Sequence, residues 1–292
     1  MSLRRDKSWM AAIAPYLWLG MLFAFPFLLV FKLSLSDVAL SMPPYAPKFD
    51  PGNIGRFVRA LDLDTYGRLV SDPIYIKAWL SSLKIAAIST ALLVLIGYPI
   101  AYGMARCSSG SRQLLVLAVT LPFFTSFLIR VYAWVAILKP AGILNAGLHA
   151  LGLPPVAVMN TDAAVYIGMV YAYLPFMALP LYAVLEKQDE SLIEAAADLG
   201  ATPFRAFWTV TFPMSLPGVA AGALLCFIPI VGEFVIPDLL GGSSTLMIGK
   251  TIWTEFFNNR DWPAAAAAAT ALLITLVVPL MLYQRQQARV LR

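Results

Sequence analysis

The chain has 292 residues, of which 60% are hydrophobic and 13% are charged, with a formal net charge of +5. This composition excludes an ordinary soluble domain, in which about a quarter of the residues carry charge. Two cysteines, Cys107 and Cys226, indicate no disulfide framework.

Long apolar runs divide the sequence. A helix of about 20 apolar residues crosses a hydrocarbon core of roughly 30 Å. Six runs of this length predict transmembrane helices at about 10–31, 79–104, 114–138, 163–185, 214–236 and 264–283. Prolines within several runs are compatible with a membrane bundle, because neighbouring helices satisfy the freed backbone groups. We therefore predict an all-α membrane protein, with a single transmembrane domain over residues 1–292.

Three basic residues, Arg4, Arg5 and Lys7, precede the first run, as they would in a signal peptide. Its apolar core, about 22 residues, is longer than the usual 7–15, and no small-residue cleavage site closes it. We expect an uncleaved signal anchor rather than a cleaved peptide.

The short loops predict the orientation, since basic residues concentrate on the cytoplasmic side. With the N-terminus inside, ten of the 21 basic residues lie in cytoplasmic segments: Arg4, Arg5, Lys7, Arg106, Arg112, Lys187, Arg205, Arg285, Arg289 and Arg292. The long first outer loop, about 32–78, balances its basic residues with aspartates. We therefore expect both termini to be cytoplasmic, and the net positive charge requires no nucleic acid.

The longest inner loop, about 186–213, contains the stretch EAAADLGATPFRAFWTVTFP. Acidic and alanine residues follow helical spacing up to Gly200, a natural helix stop, and Pro203 opens a second short helix. A small acidic helix of this kind suits the cleft of a cytosolic partner. The alternative, a helix lying on lipid headgroups, is disfavoured because such helices carry Lys and Arg on their polar face.

No catalytic motif is present in the sequence. The stretch GGSSTLMIGKT resembles a phosphate-binding loop, but Ser244 occupies the position that requires glycine, and the stretch falls in an outer loop. The single histidine, His149, is expected to be a surface residue rather than a metal ligand. We predict no catalytic residue, no metal site and no enzyme activity.

The inner-loop segment resembles the membrane subunits of bacterial ABC importers, whose motif E-A-A-x-x-x-G-x(9)-I-x-L-P is matched from Glu194 to Pro213. Val210 and Phe212 replace Ile and Leu of the motif. The resemblance implies the type I importer permease fold, with a cytoplasmic coupling-helix loop that docks on an ATPase subunit. It assigns ATPase coupling to Glu194, Ala195, Ala196, Asp198, Gly200 and Ala201.

Four further stretches, TSFLIRVYAW, VYAYLPFMALPLY, IPIVGEFVIPDLLGG and FFNNRDWP, resemble the putrescine/spermidine permeases, particularly the putrescine-system subunit. This resemblance implies a bacterial inner-membrane complex with a second related permease, two ATPase subunits and a periplasmic polyamine-binding protein. ATP and magnesium would bind the ATPase, with no cofactor in this chain. A permease of the same fold for another solute (a spermidine-preferring system, ferric ion, sulfate or phosphonate) is the alternative, and a passive channel is the rival from another class.

Ionisable residues within apolar runs are functional candidates, because burying a charge costs several kcal/mol. Arg130 in the third run and Glu233 in the fifth are expected at similar depths, with Arg130 in a gating or structural role. The residues proposed for the path of a polyamine cation are Glu233, Asp238, Trp134, Tyr132 and Tyr173. Cation–π contacts of roughly 0.5–2 kcal/mol each would assist. The alternative is that Glu233 only neutralises Arg130 and that the aromatic residues pack or anchor the helices.

Overall fold

The structure is a computed structural model, and it describes residues 13, 15–49, 52, 54–243 and 245–290. The described chain is α-helical apart from one two-stranded sheet, which confirms the all-α class. It divides into two compact units, one formed by residues up to 76 together with those from 251 onward, the other by residues 77–250. Arg4, Arg5, Lys7, Ser244 and Arg292 lie outside the described residues.

The first unit begins with α1 (Pro15–Ser34), which contains a π-helical turn at Gly20–Ala24. A short antiparallel pair, β1 (Asp37–Val38) and β2 (Tyr45–Ala46), follows with Asp37 opposite Ala46. Two small helices, α2 (Ile54–Arg59) and α3 (Asp64–Ser71), lead to the start of α4 (Pro73–Arg106). The C-terminal helix α13 (Trp262–Val290) packs along α1, and its alanine-rich start, Ala264–Ala268, is buried.

The second unit contains most of α4 and the helices that follow it. These are α5 (Ser109–Thr120), α6 (Phe127–Leu138), α7 (Ile143–Ala150), α8 (Asp162–Leu185), α9 (Ser191–Asp198), α10 (Pro203–Val231) and α11 (Val235–Leu240). The next helix, α12 (Ile248–Trp253), begins in the second unit and ends in the first. A π-helical turn at Phe207–Thr211 lies within α10, and a second one, Thr254–Asn258, follows α12.

Among the described residues, five helices are long and apolar enough to cross a membrane: Pro15–Ser34, Pro73–Arg106, Phe127–Ala150, Asp162–Leu185 and Pro203–Val231. The predicted sixth span falls in α13, of which Trp262–Val277 forms a shorter apolar helix. The chain is therefore a multi-pass helical membrane protein.

The predicted third span, 114–138, is not one continuous helix. Helix α5 ends at Thr120, a 3₁₀ turn covers Leu121–Phe124, and α6 begins at Phe127. Pro122 explains the break, since proline has no N–H to donate and restricts the residue before it. The apolar span that starts at Phe127 instead extends through α7 to Ala150.

Close packing of α8 on α10 forms the centre of the second unit. A Cβ atom added to Gly222 would lie 2.8 Å from the Met177 sulfur and 3.0 Å from the Met177 carbonyl oxygen. One added to Gly218 would lie 3.2 Å from the Leu181 Cα. Glycine at these positions lets the two backbones approach, and such approach drives helix association where lipid is as apolar as the side chains.

Candidate functional site

The candidate site lies where α10 ends. The predicted fifth span, 214–236, ends earlier than expected, because α10 stops at Val231 and α11 begins only at Val235. Glu233 therefore occupies a short non-helical break, not the interior of a spanning helix as predicted. Its side chain is half-buried. The break was not predicted from the sequence, because Gly232, which follows α10, lies in an otherwise apolar run.

The carboxylate of Glu233 is held by three hydrogen bonds. Its Oε1 atom accepts from the backbone N–H groups of Phe234, at 3.1 Å, and Val235, at 3.0 Å. These donors stand at the start of α11, where helix N–H groups have no partner within the helix. Its Oε2 atom accepts from the hydroxyl of Tyr173 at 2.6 Å, a length typical of a charge-assisted hydrogen bond.

A row of aromatic rings leads away from this carboxylate. The ring of Tyr173, on α8, lies 6.0 Å from that of Phe176, which lies 5.0 Å from that of Phe123. We call these three residues the aromatic ladder. Tyr173 is buried, while Phe176 and Phe123 are partly exposed. Phe176 was not predicted as a site residue. The only sequence signal for Phe176 is its spacing of three residues from Tyr173 on α8.

Arg130 lies at the far end of the ladder. Its guanidinium carbon is 5.9 Å from the ring centre of Phe123 and 5.7 Å from that of Phe127. The Nε and Nη1 atoms are buried and have no hydrogen-bond partner within the described chain. None of the ion pairs among described residues joins Arg130 to Glu233. In this structure the tyrosine hydroxyl, and not the arginine, is the side-chain partner of the carboxylate.

The other predicted path residues are described by different contacts. Asp238, on α11, forms a 3.2 Å ion pair with Lys250, and its side chain is largely exposed. Trp134 contacts the ring of Tyr171 edge to face, with centroids 5.5 Å apart. Tyr132 is 57% exposed, and it stands two positions after Arg130 on α6, which places it on another face of that helix.

Part of the stretch GGSSTLMIGKT packs against this break. A Cβ atom added to Gly249 would overlap the Gly232 carbonyl oxygen and lie 2.7 Å from that of Glu233. The backbone N–H of Ile248 donates to the Ser82 hydroxyl at 2.8 Å. Gly249 is thus a close-packing residue of the scaffold. Ser244 itself lies outside the described residues.

The segment that matches the importer motif folds as a short helix with a glycine end. After α9, Gly200 adopts a φ of +79°. The Gly200 N–H donates to the Ala197 carbonyl at 2.8 Å and the Ala201 N–H to the Ala196 carbonyl at 3.0 Å. This pair of bonds is a Schellman motif. Thr202 then caps the start of α10, with its hydroxyl accepting from the Arg205 N–H.

The surface of this segment is open. No residue of α9, all of which is described, is buried, and Leu199 is 89% exposed. Of the predicted coupling residues, Glu194, Ala195, Asp198 and Gly200 are exposed, and Ala196 and Ala201 are half-buried. Such an exposed helix between two spanning helices can contact another protein without rearranging the bundle.

The described part of the chain contains no group of three or more His, Cys, Asp or Glu side chains that could hold a metal ion. Spanning helices with a carboxylate at a helix break and an exposed helix in one loop fit a subunit of a membrane transport protein, and comparison with known proteins shows this class. Residues 94–291 match the family described as binding-protein-dependent transport system inner membrane component, and the chain belongs to this family.

Individual relatives place the chain within this family more closely. It is 42% identical over 225 residues to the spermidine/putrescine transport system permease protein PotB of Escherichia coli K12, covering 76% of this chain and 82% of the relative. It is 40% identical over 227 residues to PotB of Haemophilus influenzae, covering 77% and 79%. These relatives are transport permeases, which confirms a transport subunit rather than an enzyme.

Solved structures show the same fold. A bacterial alginate ABC transporter, in complex with an alginate pentasaccharide-bound periplasmic protein, contains a chain that matches with a TM-score of 0.71. The match covers 98% of this chain and 96% of that chain at 18% sequence identity. The predicted permease fold of ABC importers is therefore confirmed.

Proposed function

We propose that the chain is a transmembrane permease subunit of a bacterial ATP-driven importer of polyamines, putrescine or spermidine. All 292 residues form one transmembrane domain of the inner membrane, with both termini in the cytoplasm. The excess of basic residues in the short inner loops supports this orientation. The relatives named for spermidine/putrescine transport, at 40–42% identity, support the class of cargo.

The subunit works within a larger complex. A second, related permease completes the translocation path, two ATPase subunits supply the energy, and a periplasmic binding protein delivers the polyamine. ATP and magnesium bind the ATPase subunits. The segment 194–213 docks in a groove of one ATPase through α9. The exposure of α9 and its alanine-rich surface support this role.

The observation that carries the cargo assignment is the hydrogen bonding of Glu233. A carboxylate offers about four lone-pair positions. Two on Oε1 and one on Oε2 are occupied by the bonds from Phe234, Val235 and Tyr173. One position on Oε2 is left for an ammonium group. The three existing bonds fix the position of the carboxylate at the break, where a dication needs fixed negative charge.

The aromatic ladder extends the site for a long, flexible cation. After Glu233 binds one ammonium, the methylene chain of the polyamine lies along the rings of Tyr173 and Phe176. The other ammonium is attracted to a ring face by about 0.5–2 kcal/mol. The positive charge of Arg130, beyond Phe123, repels the cargo and closes that end of the path. Arg130 thus has a gating role.

Transport follows from alternating access. Binding of ATP brings the two ATPase subunits together, and the docked coupling helices move with them. The cargo is handed from the binding protein to Glu233 on the outer side and released when the inner side opens. Asp238, on α11, contributes a weaker attraction because Lys250 already pairs with it.

Uptake of labelled putrescine and spermidine tests this function. The four subunit types are produced together in cells that lack their own polyamine uptake, and the matched control carries an ATPase without its catalytic glutamate. We expect uptake that depends on ATP hydrolysis and is inhibited by either unlabelled amine. Uptake of ferric ion, sulfate or phosphonate instead would identify another cargo, and uptake without the ATPase would identify a passive channel.

A further inference from the structure

Two ion pairs tie the start of the coupling segment to the helices before it. Arg112, on α5, donates to Glu186 at 2.8 Å, just after the end of α8. Arg106, the last residue of α4, pairs with Glu190 at 3.1 Å, directly before α9. Gln188, between these two glutamates, donates to the Thr211 carbonyl at 3.0 Å and so joins the start of the segment to its end.

Arg112 also donates hydrogen bonds to backbone carbonyl groups, in addition to its ion pair. Its Nη2 atom donates to the carbonyl oxygens of Ala105, at 3.1 Å, and Cys107, at 3.3 Å. These carbonyls belong to the end of α4, where helix carbonyl groups have no partner within the helix and favour a positive charge. One guanidinium therefore joins α4, α5 and the coupling segment. The Glu186 side chain is 37% exposed, against 75% for Glu190, so the Arg112 pair is the better shielded.

Helix α5 has few buried contacts within this chain. No residue of this helix, all of which is described, is buried. A cavity of about 500 Å³ lies beside it, with Gln113, Thr120 and Tyr182 among its lining residues along with both members of the ion pair. With space on this side and few buried contacts, the position of α5 depends strongly on its polar links.

The same helix leads directly to the candidate site. Phe123 follows Arg112 by eleven residues along α5 and the 3₁₀ turn after it, a distance of roughly 16 Å at 1.5 Å per residue. Phe123 contacts Phe176 and lies under the guanidinium of Arg130. A shift of α5 along or about its axis therefore displaces one end of the aromatic ladder and the gating arginine.

We propose that Arg112 is a positioning residue which transmits movement of the coupling helix α9, through its ion pair with Glu186, to α5 and thus to Phe123 and Arg130. This inference rests on the proposed function for the direction of the movement, from the docked ATPase toward the candidate site. The mechanical link between the helices does not depend on which cargo is carried. The more exposed pair of Arg106 and Glu190 reaches only α4, has no ion pair or side-chain hydrogen bond to α5 within the described chain, and is not part of this path.

The experiment uses the complete importer in proteoliposomes and two measurements. A fluorophore on Leu121→Cys, in a chain that also carries Cys107→Ser and Cys226→Ser, reports the ATP-induced movement at the end of α5. Putrescine uptake and ATP hydrolysis are measured in vesicles without the label. The variants are Glu186→Gln, which leaves the bonds of Arg112 to α4 intact, and the matched control Glu190→Gln.

In Glu186→Gln we expect ATP hydrolysis within twofold of the parent complex, at least a fivefold smaller fluorescence change and at least tenfold less putrescine per ATP. Glu190→Gln should keep all three values within twofold. Arg112→Gln should match Glu186→Gln, whereas Arg112→Lys, which keeps the charge, should retain at least half of the parent's fluorescence change.

A parent-like fluorescence change in both Glu186→Gln and Arg112→Gln would overturn the inference. An equal loss of the fluorescence change in Glu190→Gln would also overturn it. So would a parallel fall of ATP hydrolysis and fluorescence change in Glu186→Gln, because the Arg112–Glu186 pair would then serve docking of the ATPase. A parent complex that shows the fluorescence change but imports no putrescine would contradict the proposed cargo and leave the mechanical link supported.

Discussion

The hydroxyl of Tyr173 donates a 2.6 Å hydrogen bond to the carboxylate of Glu233, a residue 60 positions later in the chain. The bond joins the middle of α8 to the break between α10 and α11. It holds the carboxylate toward the aromatic ladder, while the backbone of α11 holds the other oxygen. The position of this negative charge is therefore set by two separate helices, and a movement of either one changes the site.

Removal of this hydroxyl tests its contribution to cargo binding. In Tyr173→Phe the ring stays in the ladder, but Glu233 loses a hydrogen bond of a kind worth about 1.5–3 kcal/mol. We expect about tenfold lower putrescine uptake at limiting concentration, with little change in the yield of the complex. The matched control is Tyr171→Phe, whose ring contacts Trp134 and not the ladder. Equal uptake in both variants would mean that the Tyr173 hydroxyl does not serve the cargo.

A second prediction concerns Gly249. Its α-hydrogen faces the carbonyl oxygen of Gly232, so the Cβ of Gly249→Ala would overlap the backbone beside Glu233. We expect destabilisation by about 1–3 kcal/mol, seen as a lower melting temperature of the purified complex, together with reduced uptake. Gly147→Ala on α7, where an added Cβ meets no atom within 4 Å, should leave both unchanged. A stable Gly249→Ala complex would show that the two backbones do not approach this closely.

A third prediction concerns Gly200, whose φ of +79° ends α9. A side chain there costs roughly 1–2 kcal/mol of backbone strain, least for asparagine, and an added Cβ meets no atom of this chain within 4 Å. Gly200→Asn should therefore retain most of the uptake, whereas Gly200→Trp should lose uptake per ATP hydrolysed, because in the proposed complex its bulk would face the ATPase. Both variants should reach the membrane. Normal uptake by Gly200→Trp would contradict docking at this turn.

A fourth prediction is that the isolated chain does not bind ATP. Lys250, the lysine of the stretch that resembles a phosphate-binding loop, pairs with Asp238, and the neighbouring Gly249 is buried against Gly232. The ion pair competes with a phosphate group for Lys250, and the close packing of Gly249 leaves little room for a phosphate-binding loop. A photoreactive ATP analogue should leave residues 241–251 unlabelled in the purified chain. Specific labelling that unlabelled ATP prevents would contradict both the packing and the assignment of ATP to another subunit.

The helical class of the fold was predictable because it depends on hydrophobic run length, which the sequence displays directly. The breaks within the runs were not. Pro122 divides the third run, yet Pro175 and Pro180 lie inside the continuous helix α8. A proline in a membrane run is compatible with both outcomes, and the contacts of neighbouring helices decide between them.

The site was predictable only in part for a related reason. Glu233 and Tyr173 stood out as a charge and a hydroxyl-bearing ring in apolar surroundings. Their contact, and the exclusion of Arg130 from it, depends on how α8, α6 and the end of α10 are packed. Only its spacing from Tyr173 distinguished Phe176 from the many other aromatic residues. Tyr132 was selected for its chemistry, but its position on α6 leaves it exposed.

Whether Glu233 serves the cargo rather than the fold is tested most directly by putrescine uptake per complex in Glu233→Gln. The matched control is Asp238→Asn, which removes the same charge from a carboxylate already paired with Lys250. We expect at least a tenfold loss of uptake in Glu233→Gln with parent-like complex yield, at most a twofold loss in Asp238→Asn, and no recovery when Arg130→Gln is added. Full uptake in Glu233→Gln, or recovery of both yield and uptake in the double variant, would contradict the account.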